Sequence, residues 1–426
     1  MTFPTVRRWL RRSGAAMVDQ GSFAASSFAL NVLLARWLAP GDYGAFVTAY
    51  ATLTLLGTVH TAFVTDPLLL LGPGKYRAVL EEYWPAVVRG HWLLSATLSL
   101  ALMVVVVALR WGVGADVLPI LLPLALVAPF VLYQWLARRV CYAVSRPDVA
   151  AQGGVLYLVL LLGGAYALQQ TGWLWPTTAL VALAVASLGS AQWILLRLRL
   201  PRPSDPGARG TWRAVVADHW SYGRWATLSL PLGWVRRDGY VIMVSALAGL
   251  EAAGTLRAVL NLLMPLVHAG TALAAVALPA LARIADGRTF ERGARIAMLL
   301  AGSVGVVYGL LTFAFGAQLL SWLYAGRYDT DMGMIAAFSL MAVAIAVVRA
   351  LDTVLKARNE VRMVFVGSLI AALTLAVIGA PAIVRWQVTG AAGSMAVSYY
   401  AAAVSLWILD AVARRRSARR DRAVAG

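Results

Sequence analysis

The feature that most constrains this chain is a run of 48 residues, 149–196, that contains no charged side chain. An α-helix rises about 1.5 Å per residue, so about 20 apolar residues cross the roughly 30 Å hydrocarbon layer of a bilayer. The run is too long for one crossing, and a polar turn at residues 169–172 divides it in two. Membrane-spanning helices are therefore the expected building unit.

Similar apolar runs recur along the whole sequence. They predict twelve spans, at residues 14–36, 44–71, 91–109, 117–137, 149–168, 173–195, 222–248, 252–282, 294–317, 333–354, 363–383 and 388–409. The composition agrees, because 61% of the residues are hydrophobic and 13% are charged, against roughly 45–50% and about 25% in soluble domains. The expected fold class is an all-α polytopic membrane protein, and a soluble enzyme is excluded.

The distribution of basic residues predicts the orientation. The chain has 37 Lys and Arg against 19 acidic residues, and 29 of the basic residues fall at the termini and in alternate connections. The opposite connections hold five: Arg36, Arg110, Arg257, Arg327 and Arg385. Because cytoplasmic loops are enriched in Lys and Arg, both termini are expected in the cytoplasm. This alternation is typical of membrane topology, so we expect no nucleic-acid partner.

The chain is expected to contain two pseudo-symmetric six-helix bundles. A proline-rich segment, residues 201–221, predicts a cytoplasmic linker between an N-terminal bundle, 1–200, and a C-terminal bundle, 222–410, which a basic tail, 411–426, follows. Residues 138–149 match residues 350–361 at an offset of 212. An even number of helices in each half gives both copies the same orientation in the membrane.

Several kinds of chemistry lack a sequence signal. Cys141 is the sole cysteine, so no internal disulfide is expected, and no Cys/His cluster has metal-ligand spacing. The sequence also lacks a GxxxxGK[ST] phosphate-binding loop. We therefore expect no cofactor, no metal site, no direct use of ATP and no enzymatic activity.

The seventh predicted helix carries three charges near its centre. Arg236, Arg237 and Asp238 lie between the apolar runs 225–235 and 239–250. A central arginine costs about 2.5–3.5 kcal/mol on insertion, so these side chains need a wet cavity or partners. Guanidinium groups bind phosphate oxygens in paired hydrogen bonds, which predicts a membrane anion site at the arginines. The alternative is that acids, including Asp238, neutralise them structurally.

Six further polar residues are candidates for a transport path or for ion coupling: His60, His268, Asp19, Asp66, Asn31 and Asn261. The histidines occupy similar places in the repeat and titrate in the physiological range, so they either carry a coupling proton or pack as neutral groups. The aspartates near the cytoplasmic ends of helices one and two are either ligands or groups that reach headgroup water. The asparagines either line a sugar path or form hydrogen bonds between helices.

Five segments resemble the polysaccharide-transporter branch of the multidrug/oligosaccharidyl-lipid/polysaccharide (MOP) exporter superfamily: residues 30–46, 221–229, 277–284, 319–329 and 349–359. The resemblance implies a V-shaped pair of bundles of the MATE type around a central cavity. It also implies a flippase for undecaprenyl-pyrophosphate-linked oligosaccharide in the bacterial inner membrane, with Arg236 or Arg237 holding the pyrophosphate. Relatives that carry the peptidoglycan precursor have more arginines in helix one, where this chain has Asp19.

The expected cargo is consistent with the membrane potential. Export of an anion from a negative cytoplasm releases about 2.3 kcal/mol per charge per 100 mV, so ATP is not required. The resemblance implies the glycosyltransferases and polymerase of an O-antigen, capsule or exopolysaccharide pathway as partners, and H+ or Na+ is the expected coupling ion. A cation-coupled multidrug antiporter of the same fold is the main alternative. A membrane glycan polymerase is less favoured, because the predicted outer loops are short.

Overall fold

The computed structural model describes residues 3–109, 118–200, 208–284, 286–328 and 330–425. Within these ranges it leaves out the side chains of residues 3–13, 109, 118, 208–211, 228–231, 236, 275–276, 279 and 415–425. All regular secondary structure in the described residues is helical. The chain divides into two compact units, Met1–Trp234 and Val235–Gly426.

Unit 1 contains eight α-helices within its described residues. They are α1 (Phe3–Trp37), α2 (Pro40–His60), α3 (Asp66–Leu71), α4 (Leu80–Leu109), α5 (Leu118–Ala143), α6 (Pro147–Gln170), α7 (Pro176–Leu198) and α8 (Ala208–Trp234). A π-helical turn, Thr61–Thr65, joins α2 to α3 without a break in the helical path. Prolines begin α2, α6 and α7, where the missing N–H costs nothing because the first helical N–H groups have no intrahelical acceptor.

Unit 2 contains the remaining six α-helices of the described chain. It opens with a π-helical turn, Val235–Gly239, that continues directly from α8. The helices are α9 (Tyr240–Ala248), α10 (Leu250–Leu260), α11 (Met264–Ala282), α12 (Gly287–Tyr324), α13 (Met332–Ala357) and α14 (Val361–Ala425). Gln387 interrupts α14 with φ 46° and ψ −123°. This break separates the last two predicted spans.

The predicted all-α membrane fold is confirmed. Nine helices of the described residues are long and apolar enough to cross a bilayer, and the chain is a multi-pass membrane protein. The helices extend beyond several predicted bounds: α4 begins at Leu80, 11 residues before the predicted start, and α8 begins at Ala208. The count of twelve crossings, the cytoplasmic termini and the bundle bounds 1–200, 201–221, 222–410 and 411–426 stay predictions.

The core of unit 1 buries large side chains from α4 and α5. Tyr83 and Trp84 pack in one cluster with Leu136, Val140 and Cys141. The Cys141 side chain is fully buried. Since it is the sole cysteine, its thiol is a natural reporter of the opening of this core.

Close helix packing in unit 2 depends on glycine. A Cβ on Gly309 would lie 2.6 Å from the Ser339 carbonyl oxygen, and one on Gly305 would lie 2.9 Å from the Ala346 Cβ. The backbones of α12 and α13 therefore meet where neither glycine can be enlarged without movement. Small residues at such contacts are typical of helix pairs in membranes, where van der Waals packing drives association.

We expect Gly309→Ala to destabilise unit 2 by about 1–3 kcal/mol, because the added methyl group overpacks the α12–α13 contact. The measurement is the thermal unfolding midpoint of the purified protein in detergent. Gly302→Ala is the matched control on α12, since a Cβ there meets nothing within 4 Å. Equal midpoints for the two variants would contradict the packing argument.

Candidate functional site

The charged centre of the seventh predicted helix forms a π-helical turn. This turn, Val235–Gly239, contains Arg236, Arg237 and Asp238. The Arg236 side chain lies outside the described residues, so its role stays a prediction. A π-helical turn inserts extra backbone into a helix and re-aims the side chains, and such turns are frequent at functional sites. Successive residues of a regular α-helix point about 100° apart, and the π-helical turn changes this spacing at these charges.

Asp238 is the centre of a three-residue charge cluster. Its side chain is 5% exposed and contacts two guanidinium groups. Arg237 donates from Nε to Asp238 Oδ2 at 2.8 Å, and Arg257 donates from Nη1 to Asp238 Oδ1 at 3.4 Å. The three groups, which we call the Asp238 triad, sum to a charge of +1.

The position of Arg257 corrects the sequence prediction. That residue was assigned to an outer connection, but it lies inside α10 and its side chain is 7% exposed. An arginine buried among apolar helices requires an anionic partner, because desolvating the guanidinium is costly. Asp238 supplies this partner.

The two arginines of the Asp238 triad differ in accessibility. The Arg257 side chain is 7% exposed, whereas the Arg237 side chain is 60% exposed. The structural alternative, in which Asp238 neutralises a buried arginine, therefore applies to Arg257. Arg237 is held at Nε by the same carboxylate and still reaches the surface of unit 2. Of the side chains in this cluster, it is the one that a ligand reaches first.

Both predicted asparagines form hydrogen bonds to tyrosines on neighbouring helices. In unit 1, Tyr43 donates to Asn31 Oδ1 at 3.1 Å. In unit 2, Asn261 donates from Nδ2 to Tyr324 Oη at 3.2 Å. All four residues are buried. These contacts support interhelical bonding, the alternative to a sugar path.

Asp19 is part of a buried ion pair in unit 1. Arg138 of α5 donates to both carboxylate oxygens, from Nε and Nη2, each at 2.9 Å. Tyr142, one turn further along α5, donates to Asp19 Oδ2 at 2.6 Å. The Asp19 side chain is fully buried. This geometry locks α1 to α5 and is the arrangement of a structural pair.

The two predicted histidines have different surroundings. His60 is fully buried, and its Nε2 lies 2.9 Å from His91 Nδ1 of α4. His268 of α11 is exposed. His60 and His268 occupy similar places in the repeat, but their environments therefore differ. A coupling role for either histidine stays a prediction.

Asp66 lines an open recess within unit 1. Together with Asp218, Ser221, Tyr222 and Trp225 it borders a cavity of about 650 Å³, which we call the Asp66 recess. Tyr222 is 37% exposed and Trp225 is 65% exposed. No ion pair within 4 Å involves Asp66 among the described side chains. The recess thus offers carboxylates beside accessible aromatic rings.

The second carboxylate of this recess is already partnered. Lys75 and Tyr76 each donate to Asp218 Oδ2 at 2.6 Å. These hydrogen bonds lower the pKa of Asp218 below its usual value. The carboxylate therefore stays ionised down to strongly acidic pH, and its contribution to stability is lost only as the pH falls through that lowered pKa.

No protein-family model and no curated protein sequence matches the chain significantly. Among solved structures, it is similar to the lipid II flippase MurJ in an inward closed conformation, with a TM-score of 0.71, 10% identity and coverage of 94% of this chain and 87% of that chain. An inward-facing multidrug resistance MATE family transporter of the MOP superfamily gives a TM-score of 0.69, with 13% identity and coverage of 95% and 99%.

The third similar structure is a MOP superfamily transporter from Pyrococcus furiosus. It gives a TM-score of 0.63, with 13% identity and coverage of 96% of this chain and 95% of that chain. All three alignments run through nearly the whole of each chain. The chain has the MOP transporter fold. Since the identities are between 10% and 13%, the likeness is one of fold, and cargo has to be argued from the side chains.

Within this fold, several partners of the predicted site residues are not evident from the sequence. Arg257, Arg138 and His91 each contact a predicted site residue from a helix remote in sequence. For Arg257 a signal existed, because it lies inside the predicted span 252–282. Arg138 directly follows the predicted span 117–137 and would lie in a loop by that boundary, but α5 continues to Ala143.

We expect Asp19→Asn to destabilise unit 1 by about 3–5 kcal/mol, because it leaves the Arg138 guanidinium buried without a counter-charge. The measurement is the temperature at which the Cys141 thiol becomes reactive towards a maleimide dye. Asp148→Asn is the control, since the pair of Asp148 with Arg146 is solvent-exposed and such pairs contribute about 0–1 kcal/mol. An unchanged labelling temperature for Asp19→Asn would show that the pair does not hold α1.

Proposed function

We propose that the chain carries undecaprenyl-pyrophosphate-linked oligosaccharide from the cytoplasmic to the periplasmic leaflet of the bacterial inner membrane. The cycle is alternating access, and the glycan serves O-antigen, capsule or exopolysaccharide synthesis. The observation that carries the proposal is the exposed Arg237 guanidinium, which Asp238 holds in a cluster of charge +1 within the seventh span predicted from the sequence. An excess cation at such a place favours an anionic cargo.

Each member of the Asp238 triad has a distinct part in this proposal. Asp238 fixes Nε of Arg237, so the guanidinium loses less conformational freedom when a phosphate binds. Arg257 remains buried against Asp238 and offsets the cost of burying that carboxylate. The pyrophosphate accepts hydrogen bonds from the exposed side of Arg237.

Two further arguments support an exported anion. The similar structures include a flippase and multidrug transporters, so the fold is compatible with movement of a lipid-linked cargo. A pyrophosphate that leaves the negative cytoplasm gains about 2.3 kcal/mol per charge per 100 mV, which drives export without nucleotide hydrolysis. In this proposal Arg236 is a second cation for the pyrophosphate, and H+ or Na+ is the coupling ion. The glycosyltransferases and polymerase of the same pathway are the partners.

We expect Arg237→Ala to reduce glycan export about 10- to 100-fold, the equivalent of about 1.5–3 kcal/mol for a hydrogen bond to a charged group. Arg237→Lys keeps the charge and should restore part of the export. The measurement is surface polymer in cells that lack their own flippase, with the membrane level of each variant determined by immunoblot. Arg385→Ala, which removes a cation beside Trp386, is the matched control. Full export by Arg237→Ala would remove the anion-site argument.

One observation favours a second candidate function, a cation-coupled multidrug antiporter. The Asp66 recess combines carboxylates with the accessible rings of Tyr222 and Trp225. Aromatic faces and carboxylates attract lipophilic cations. The same groups, however, also suit sugar hydroxyls, so the recess alone does not decide between the two cargoes.

If the recess binds drugs, expression of the protein should raise the inhibitory concentration of lipophilic cations, and Asp66→Asn should abolish that rise because the counter-charge is lost. The measurement is a susceptibility assay in an efflux-deficient strain. Glu81→Gln, which removes an exposed acid from α4, is the control. Unchanged susceptibility on expression of the wild-type protein would exclude the antiporter function for the compounds tested.

A further inference from the structure

A second cavity lies wholly within unit 2, between α11, α12 and α13. Its volume is about 420 Å³. The walls are apolar and mostly small, with Gly270, Ala274 and Ala277 from α11 and Ala297 from α12. Such a wall lets a slender chain lie close to the helix backbones. We call this cavity the α11–α12 groove.

The groove has an apolar cluster near one end and exposed side chains along its side. At the hairpin between α11 and α12, Leu281, Phe290, Ala294 and Val354 pack in a cluster. Along the side, Leu300 and Val304 of α12 both line the groove and are 59% and 51% exposed. Exposed leucine and valine on a membrane helix face hydrocarbon. A lipid chain therefore has lateral access to the groove.

Arg349 is the charged residue in the groove wall. It lies in α13, eight residues before the helix ends at Ala357, and its aliphatic stem packs at Gly270, where a Cβ would lie 3.7 Å from Arg349 Cγ. Its side chain is partly buried. No carboxylate lies within 4 Å of this guanidinium among the described side chains.

The absence of a carboxylate near the partly buried Arg349 contrasts with three more deeply buried arginines of the described residues. Arg138, Arg257 and Arg358 each contact at least one carboxylate. A cation inside a membrane helix is costly unless an anion or water compensates it. Arg349 is partly exposed, so water or an anionic ligand can supply this compensation. An apolar groove with one cation in its wall matches the chemistry of a lipid with a single negative phosphate.

We propose that the α11–α12 groove binds an anionic phospholipid, with one acyl chain along the groove and the phosphodiester on Arg349. A phosphodiester carries one negative charge, which one guanidinium neutralises, whereas a pyrophosphate carries more. Basic sites between membrane helices are known to hold anionic headgroups. The site is separate from the Asp238 triad, so it does not depend on the identity of the cargo.

The test uses the full chain in nanodiscs made from an equimolar mixture of phosphatidylethanolamine and phosphatidylglycerol. After detergent extraction, the phospholipid retained by each variant is counted by native mass spectrometry. The wild-type protein should retain phosphatidylglycerol in preference to phosphatidylethanolamine. Arg349→Gln should reduce this preference about tenfold, because a charge-assisted hydrogen bond is lost, and Arg349→Lys should restore part of it.

A second variant tests the groove independently of the charge. Ala297→Trp fills the groove and should reduce retention of either phospholipid, even if Arg349→Gln fails to fold. Arg385→Gln is the charge-matched control in unit 2 and should behave as the wild-type protein. Equal retention of phosphatidylglycerol by wild-type, Arg349→Gln and Ala297→Trp proteins would overturn the proposal. So would the finding of a polyprenyl phosphate, in place of a phospholipid, on the wild-type protein.

Discussion

The cost of placing a charge among apolar helices governs this structure. Each buried carboxylate of the described core is held by an arginine from another helix: Asp19 by Arg138, Asp238 by Arg257 and Asp410 by Arg358. An unpaired buried charge costs about 3–5 kcal/mol, so every pair fixes which helices lie together. Apolar packing alone does not determine which helices pair, because lipid chains are as apolar as the helix surfaces and solvate them equally well. Ion pairs therefore supply specificity to the helix arrangement.

The same cost separates structural cations from functional ones. Arg138 pairs with both oxygens of the buried Asp19, and Arg257 is 7% exposed beside Asp238, so neither guanidinium is open to a ligand. Arg237 shares its carboxylate with Arg257 and is 60% exposed, and Arg349 has no carboxylate within 4 Å among the described side chains. Both functional candidates in unit 2 are thus arginines that remain at least partly accessible: Arg237 beside its carboxylate and Arg349 in the groove wall. A guanidinium in such a place favours an anionic ligand.

The sequence predicts the fold well because the relevant signals are local. Length, apolar character and loop charge are properties of consecutive residues, so helices such as α6 and α7 are predicted to within a few residues. The Asp238 triad was predicted only in part: the adjacent Arg237 and Asp238 share one segment, but Arg257 lies 19 residues away on another helix. The repeat illustrates the limit. Its matched residues Arg146 and Arg358 bind different partners, Asp148 for the first and Glu291 and Asp410 for the second.

Because the identity to similar structures is low, the cargo has to be inferred from the side chains of this chain. A TM-score of 0.71 at 10% identity means that helix order and packing persist while nearly every side chain differs, so the fold cannot carry specificity. Specificity then depends on charge. The Asp238 triad presents a cation in unit 2, and the Asp66 recess presents carboxylates in unit 1. In the proposed export of a pyrophosphate-linked glycan, the cation at Arg237 is therefore the group that selects for the anion. A lipophilic cation would instead be selected by the carboxylate of Asp66 in unit 1.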